Sequence, residues 1–180
     1  MKKITFTMTV LLTILLACST NKTEMLLSDF EVCEIVLSSE IPSSIIDSLS
    51  YLNIIPENNS EMQNFGYLAI SDSSALNGAI KFDSIEIMKS TFRVGDNEKY
   101  FALYALKNQL KIPVSEIQNS SVKDGSTEIH FKMKGTQKWA EYTEAHTGKH
   151  IAFIKNRRVQ DVVLINGKIN IGVAIINNRK

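Results

Sequence analysis

Between Thr127 and His146 the apolar period switches from two residues to about 3.6, and few folds accommodate that change. Ile129, Phe131 and Met133 alternate with Glu128, His130 and Lys132, as a half-buried strand requires. Lys134-Gly135-Thr136 reads as a turn. Trp139, Tyr142, Thr143 and His146 then share one stripe of a helix predicted over residues 137–146. Thr147-Gly148 closes it, because glycine accepts the left-handed conformation past a helix end. Strands are predicted at 150–154, 159–165 and 168–176, with a turn at Asn156-Arg157-Arg158 and a hairpin signal at Asn166-Gly167. The pattern predicts a C-terminal β-α-β-β-β module in an α+β fold, a small mixed or antiparallel sheet packed by one or two amphipathic helices.

Upstream signals are weaker. Residues 30–37 read as a strand, and Pro42 precedes an amphipathic helix over 44–53 that carries Ile45, Ile46, Leu49 and Leu52. Further strands are expected at 65–70, 80–88, 90–94 and 99–106, with Gly95-Asp96-Asn97 as a tight turn. Phe30, Val32, Ile35, Ile41-Pro42, Ser44 and Ile46 echo Phe101, Leu103, Leu106, Ile112-Pro113, Ser115 and Ile117 at constant offset. The echo suggests a degenerate repeat, or simply that strand-Pro-helix junctions look alike. The expected division is 30–94, an N-terminal α+β region, and 95–180.

The first residues bear on location. Lys2 and Lys3 precede an apolar run and then Leu15-Leu16-Ala17-Cys18, the pattern of a secretory signal with a small residue before the cut. A cysteine directly after that residue makes a lipobox. Cleavage between Ala17 and Cys18 would remove residues 1–17, lipidate the Cys18 thiol and leave 18–29 as a polar tether. The competing readings are an ordinary secretory signal and a transmembrane anchor. The run stops short of the roughly 20 apolar residues a span needs, and Thr5, Thr7, Thr9 and Thr13 weaken it. The expected address is the cell envelope, lipid-anchored to a membrane and facing away from the cytoplasm. Ser19 after the cysteine leaves the outer membrane open.

Charge excludes some partners. Lys and Arg number 20 against 19 Asp and Glu, and removal of Lys2 and Lys3 leaves the remainder close to neutral. That predicts no nucleic-acid partner and no polybasic patch for lipid. With Cys18 lipidated, Cys33 lacks a disulfide partner and reads as a small strand residue on the face of Glu31 and Ile35.

Gly135-Thr136-Gln137-Lys138-Trp139-Ala140-Glu141-Tyr142-Thr143, with Gly148-Lys149-His150-Ile151-Ala152-Phe153-Ile154, resembles the head of the first periplasmic domain of SecD. SecD is a membrane component of the bacterial protein-export machinery. Tyr100 to Leu106 and the segment 117–122 resemble the strand and short helical turn that precede this head, so the likeness spans about 95–176. It departs at Asn156-Arg157-Arg158, where the family has an Asp-Gly-type turn, and at Val163, where it has proline. The family's energy-coupling transmembrane helices have no counterpart after Cys18. The resemblance therefore implies a similar globular head and, through it, a protein or peptide partner.

No catalytic constellation emerges. His146-x-x-x-His150 with Glu144 has zinc-like spacing, but Gly148 intervenes and a histidine near a helix end is favoured by the dipole. Asp83 with Glu86, and Glu141 with Glu144, are imaginable acid–base pairs; solvated charge explains them equally. Trp139 reads as core and Arg157-Arg158 as an exposed turn. No phosphate loop or Gly-x-Ser-x-Gly elbow occurs. The expectation is a non-enzymatic envelope lipoprotein without cofactor or metal, held to the membrane by lipid and binding a protein or peptide. The alternatives are an assembly lipoprotein without peptide binding, and an enzyme with an unfamiliar site.

Overall fold

The computed structural model describes residues 28–59 and 63–178. Among them the strands are β1 (Phe30–Val36), β2 (Ile55–Pro56), β3 (Gly66–Ala69), β4 (Ile80–Phe82), β5 (Ile85–Val94), β6 (Tyr100–Ile112), β7 (Ile117–Lys123), β8 (Ser126–Phe131), β9 (His150–Lys155), β10 (Arg158–Leu164) and β11 (Val173–Asn177). The α-helices are α1 (Ser43–Ser48) and α2 (Met133–Ala145).

Eight strands form one sheet in the order β2-β3-β6-β1-β9-β10-β5-β4, and β5 pairs with β6 as well. That extra pairing closes β1, β9, β10, β5 and β6 into a small barrel-like ring. Four junctions are antiparallel; the seam between β5 and β10 is parallel and rests on Val159 opposite Ser90. Thr91 reinforces the seam by donating its hydroxyl to the Val159 carbonyl at 3.2 Å. Each ring strand sends alternate side chains inward, so Cys33, Ile35, Met88, Phe92, Ala102, Tyr104, Leu106, Ala152, Ile154 and Val159 fill the interior.

The outward side chains of the same strands build two further cores. Val36, Ile87, Leu103 and Ala105 pack under Ile45, Leu49 and Leu52 from α1 and the turn after it. On the other flank Phe30, Val32, Ile151 and Phe153 meet Trp139 of α2 and Ile129 and Phe131 of a second sheet, ordered β11-β8-β7. Phe30 sits edge-on to Phe131 and Trp139, with ring centroids 5.0 and 5.6 Å away. No helix among the described residues is long and apolar enough to cross a membrane.

The α+β expectation is overturned: the molecule is mostly β, with a large mixed sheet and few helices. Strands run further than their apolar patterns suggest. β6 continues through the polar Lys107-Asn108-Gln109 because a bulge, with Asn108 at φ 51°, absorbs an extra residue opposite β1. β5 is continuous across Lys89, and the β4–β5 turn falls instead at Asp83, φ 42°. Lys89 tolerates burial by donating to the Ser73 carbonyl at 2.5 Å and lying over the Phe101 ring. The segment expected as a helical turn at 117–122 is strand β7.

The β-α-β-β-β module does not form one sheet. β8 belongs to the small sheet, whereas β9 and β10 belong to the ring. No hairpin forms at Asn166-Gly167, and β11 pairs with β8 rather than β10. The segment between them is bound to the end of α2: Gly148 N–H donates to Ile165 O, Ile165 N–H to Lys149 O, and Ile169 N–H to the Thr143 hydroxyl. The helix also starts at Met133, so Gly135 lies inside it. A Cβ there would meet the Glu116 carbonyl at 2.9 Å, and close packing, not turning, demands the glycine.

Strands from 30–94 and from 95–180 interleave in the ring. β1 lies between β6 and β9, and β5 between β6 and β10.

Candidate functional site

Glu34 anchors the densest polar cluster. It is 3% exposed and faces the β6 bulge. Its Oε1 accepts from Lys149 Nζ at 2.7 Å and lies 3.5 Å from Lys107 Nζ; Oε2 accepts from Asn108 Nδ2 at 2.6 Å and lies 3.3 Å from His146 Nε2. Burial disfavours the charge, but the bonds from Lys149 and Asn108 and the Lys107 charge hold the carboxyl below its ordinary range. With both oxygens engaged, Glu34 acts as a pin between β1, the β6 bulge and the end of α2, not as a free base.

The sequence-predicted residues do not converge. His146 stacks on Tyr142 with centroids 4.0 Å apart, and its Nδ1 lies 2.7 Å from the Tyr142 carbonyl. His150 instead approaches Gln63 at 3.4 Å, and His130 approaches Glu128 at 3.1 Å. No group of three or more His, Cys, Asp or Glu that could hold a metal occurs among the described residues. Glu144 pairs with Lys168 and Glu141 accepts from Gln137. Asp83 occupies a turn, while Glu86 faces Lys81 at 3.9 Å. Arg157 donates to the Ala79 carbonyl, and Trp139 is core. Burial, with the Glu86 and Glu31 charges, pushes the Cys33 thiol up to about 12, far from a nucleophile's range. Ala17 and Cys18 lie outside the described residues.

What the sequence reading missed is the margin of the small sheet. β7 pairs with β8 on one side only, and no strand among the described residues occupies its other side. Asp124-Gly125, with φ 50° and 80°, joins β7 to β8 in a two-residue turn of the primed type. That dipeptide was a legible hairpin signal. The turn makes Lys123 and Ser126 a hydrogen-bonded pair, and the alternation of an antiparallel ladder then directs the N–H and C=O of Val122 and Ser120 away from β8. A bulge at Gln118 separates this regular stretch from Ile117.

β11, on the opposite margin, is pinned at its end. Buried Asp161 of β10 accepts from the Asn177 backbone and side-chain nitrogens, both at 3.0 Å, and from Val162 N–H at 2.9 Å. Between the sheets lies a cleft of about 70 Å³ with an apolar floor that includes Ile117, Ile129 and Ile176 and a polar margin that includes Ser120, Glu31 and Lys155. Chemically, the β7 margin offers main-chain donors and acceptors beside a small cleft of mixed polarity.

No family model and no curated protein matches the chain. Among solved structures, it is similar to SecDF, described as a membrane component that enhances protein export: TM-score 0.37, 14% identity, covering 83% of this chain and 86% of that one. It is also similar to SecDF in a super-membrane-facing form: TM-score 0.38, 13% identity, covering 95% of this chain. The chain spans only 29% of that second structure's length.

Proposed function

We propose that this chain is an envelope lipoprotein, anchored through Cys18, that holds an extended polypeptide segment without chemical turnover by adding it to β7. The observation that carries this reading is the open β7 margin, with Ser120 and Val122 directing backbone groups outward. Strand addition draws affinity from main-chain bonds and selectivity from alternate side chains. Each such bond contributes about 1 kcal/mol net, so binding is reversible, and one small side chain can enter the cleft beside Ser120. The Lys2-Lys3 start, the short apolar run and Ala17-Cys18 support the anchor.

Reduced, carboxymethylated α-lactalbumin serves as a permanently unfolded probe. At saturation it should slow amide hydrogen exchange at Ser120 and Val122, and Ser120→Pro should abolish that protection while circular dichroism stays native. Exchange that is unchanged by the probe would remove the reading. For the anchor, Cys18→Ala should abolish lipid labelling and release the protein from membranes; a variant that still sediments with them contradicts lipidation.

A further inference from the structure

The ring has an open mouth at the end where β6 begins. β1 stops opposite Ala105, and β3 replaces it beside β6 from Leu103 to Tyr100. Tyr67 is paired with Ala102, so it shares the inward face that carries Tyr104 and Phe92. The sheet flares there into a groove of about 620 Å³, within the size range of small-molecule sites (roughly 300–1,000 Å³). Tyr67 and Tyr100 supply aromatic surface above the buried rings of Phe92 and Tyr104, and Gln63 supplies an amide beside buried Asn64.

Two of the rings are held in place before any ligand arrives. The Tyr67 hydroxyl donates to the Glu57 carboxylate. Tyr100 lies against Gly95, where φ is +79° and a Cβ would come within 2.9 Å of the ring. Preorganised aromatic surface contributes contact area at low entropic cost.

The lining selects a ligand class by elimination. Among the described residues it contains no charged side chain, so an ionic ligand would find no counter-charge there. A purely apolar ligand would desolvate the Gln63 amide and the Tyr100 hydroxyl without offering either a hydrogen bond. A peptide could not add as a strand to the β3 floor at Gly66 and Tyr67, since β2 and β6 occupy both sides there. What remains is a neutral molecule with flat apolar faces and a rim of hydroxyls that both donate and accept, as amides and tyrosines do. We propose that the groove binds a neutral oligosaccharide.

Orientation suits this. Phe30, toward the expected anchor, lies opposite Ile112 at the far end of β6. At about 3.3 Å per residue, that end is roughly 40 Å along the strand from Tyr100. The groove thus lies at the opposite end of β6 from Phe30, apart from the β7 margin.

The test uses the full-length chain in detergent micelles with chitotetraose, cellotetraose and maltotetraose, followed by saturation-transfer NMR and tyrosine fluorescence. At least one should bind, and Tyr67→Ala and Gln63→Ala should each weaken it about tenfold, whereas Ser120→Pro should not. Gln63 sits at the rim, so its substitution reads binding even if Tyr67→Ala unfolds. No binding of any probe up to about 10 mM, or binding indifferent to both substitutions, overturns the proposal. So does loss of carboxymethylated α-lactalbumin binding in Gln63→Ala, which would make the groove a peptide site.

Discussion

β7 and β11 flank the same central strand, yet their outer margins differ in kind. β11 is tied to the ring by buried Asp161, which sits at the β10 bulge and occupies Asn177. β7 carries a bulge too, at Gln118, but exposed Gln118 and Asn119 bring no comparable buried pin. The bulge in β6 is again locked by a buried carboxylate, Glu34, and the irregularity in β5 between Lys89 and Arg93 is held by buried Ser90, whose hydroxyl accepts from Ala102 N–H and donates to the Phe92 carbonyl. Irregular backbone is therefore fastened wherever it faces the ring and left open at one solvent-facing margin. An open edge invites aggregation unless it is short, polar or used. Gln118-Asn119-Ser120-Ser121 is polar, and its regular part is short.

Removing the β11 clamp should have the largest effect. Asp161→Ala leaves the Asn177 and Val162 N–H groups without their acceptor and should cost about 3 kcal/mol, read as a lower urea midpoint with fast exchange at Asn177. Two open margins should also make the variant self-associate at high concentration; a stable monomer with protected Asn177 would erase the contrast between the strands. Gly135→Ala forces a Cβ against the Glu116 carbonyl just before β7 and should cost about 1–3 kcal/mol. Its chemical-shift changes should concentrate in β7 and spare β11.

Glu34→Gln probes the β6 lock and should cost about 1–2 kcal/mol at neutral pH, discounted because Lys149 and Lys107 are partly solvated. The folded-state pKa of Glu34 is depressed, so its ionised form stabilises fully above the ordinary carboxylate value. That contribution is lost as pH falls through the lower folded value. Wild type and variant should therefore converge in stability in acid; a constant gap would mean that packing, not charge, holds the bulge. Ser120→Pro should have the smallest effect on stability, below about 1 kcal/mol, because its N–H points away from the β8 ladder.

Much of the local structure was legible. The strands at β1, β3, β8, β9 and β10, the Trp139 stripe and the Gly148 stop all follow from period and turn chemistry. Legibility failed where a local signal met a stronger distant partner. Asn166-Gly167 looks like a hairpin, but Ile165 and Ile169 bind the end of α2, and β11 is carried across to β8. Lys107-Asn108-Gln109 looks like a strand end, but Glu34 accepts the Asn108 amide and the strand continues. The aromatic groove was invisible because Tyr67, Phe92 and Tyr104 come from three strands and meet only when the ring closes.

By itself, then, the sequence determined which residues are extended, which stripe of α2 is buried and which start pattern suggests export. Those properties depend on neighbours a few positions away along the chain. Only the tertiary structure decided which strand lies beside which: the closure of β5 on β10 through Val159 and Ser90, the transfer of β11 to β8 and the open side of β7. Pairing between strands is nonlocal, and its energy comes from side-chain packing and backbone bonds across the sheet, which no short window of sequence contains.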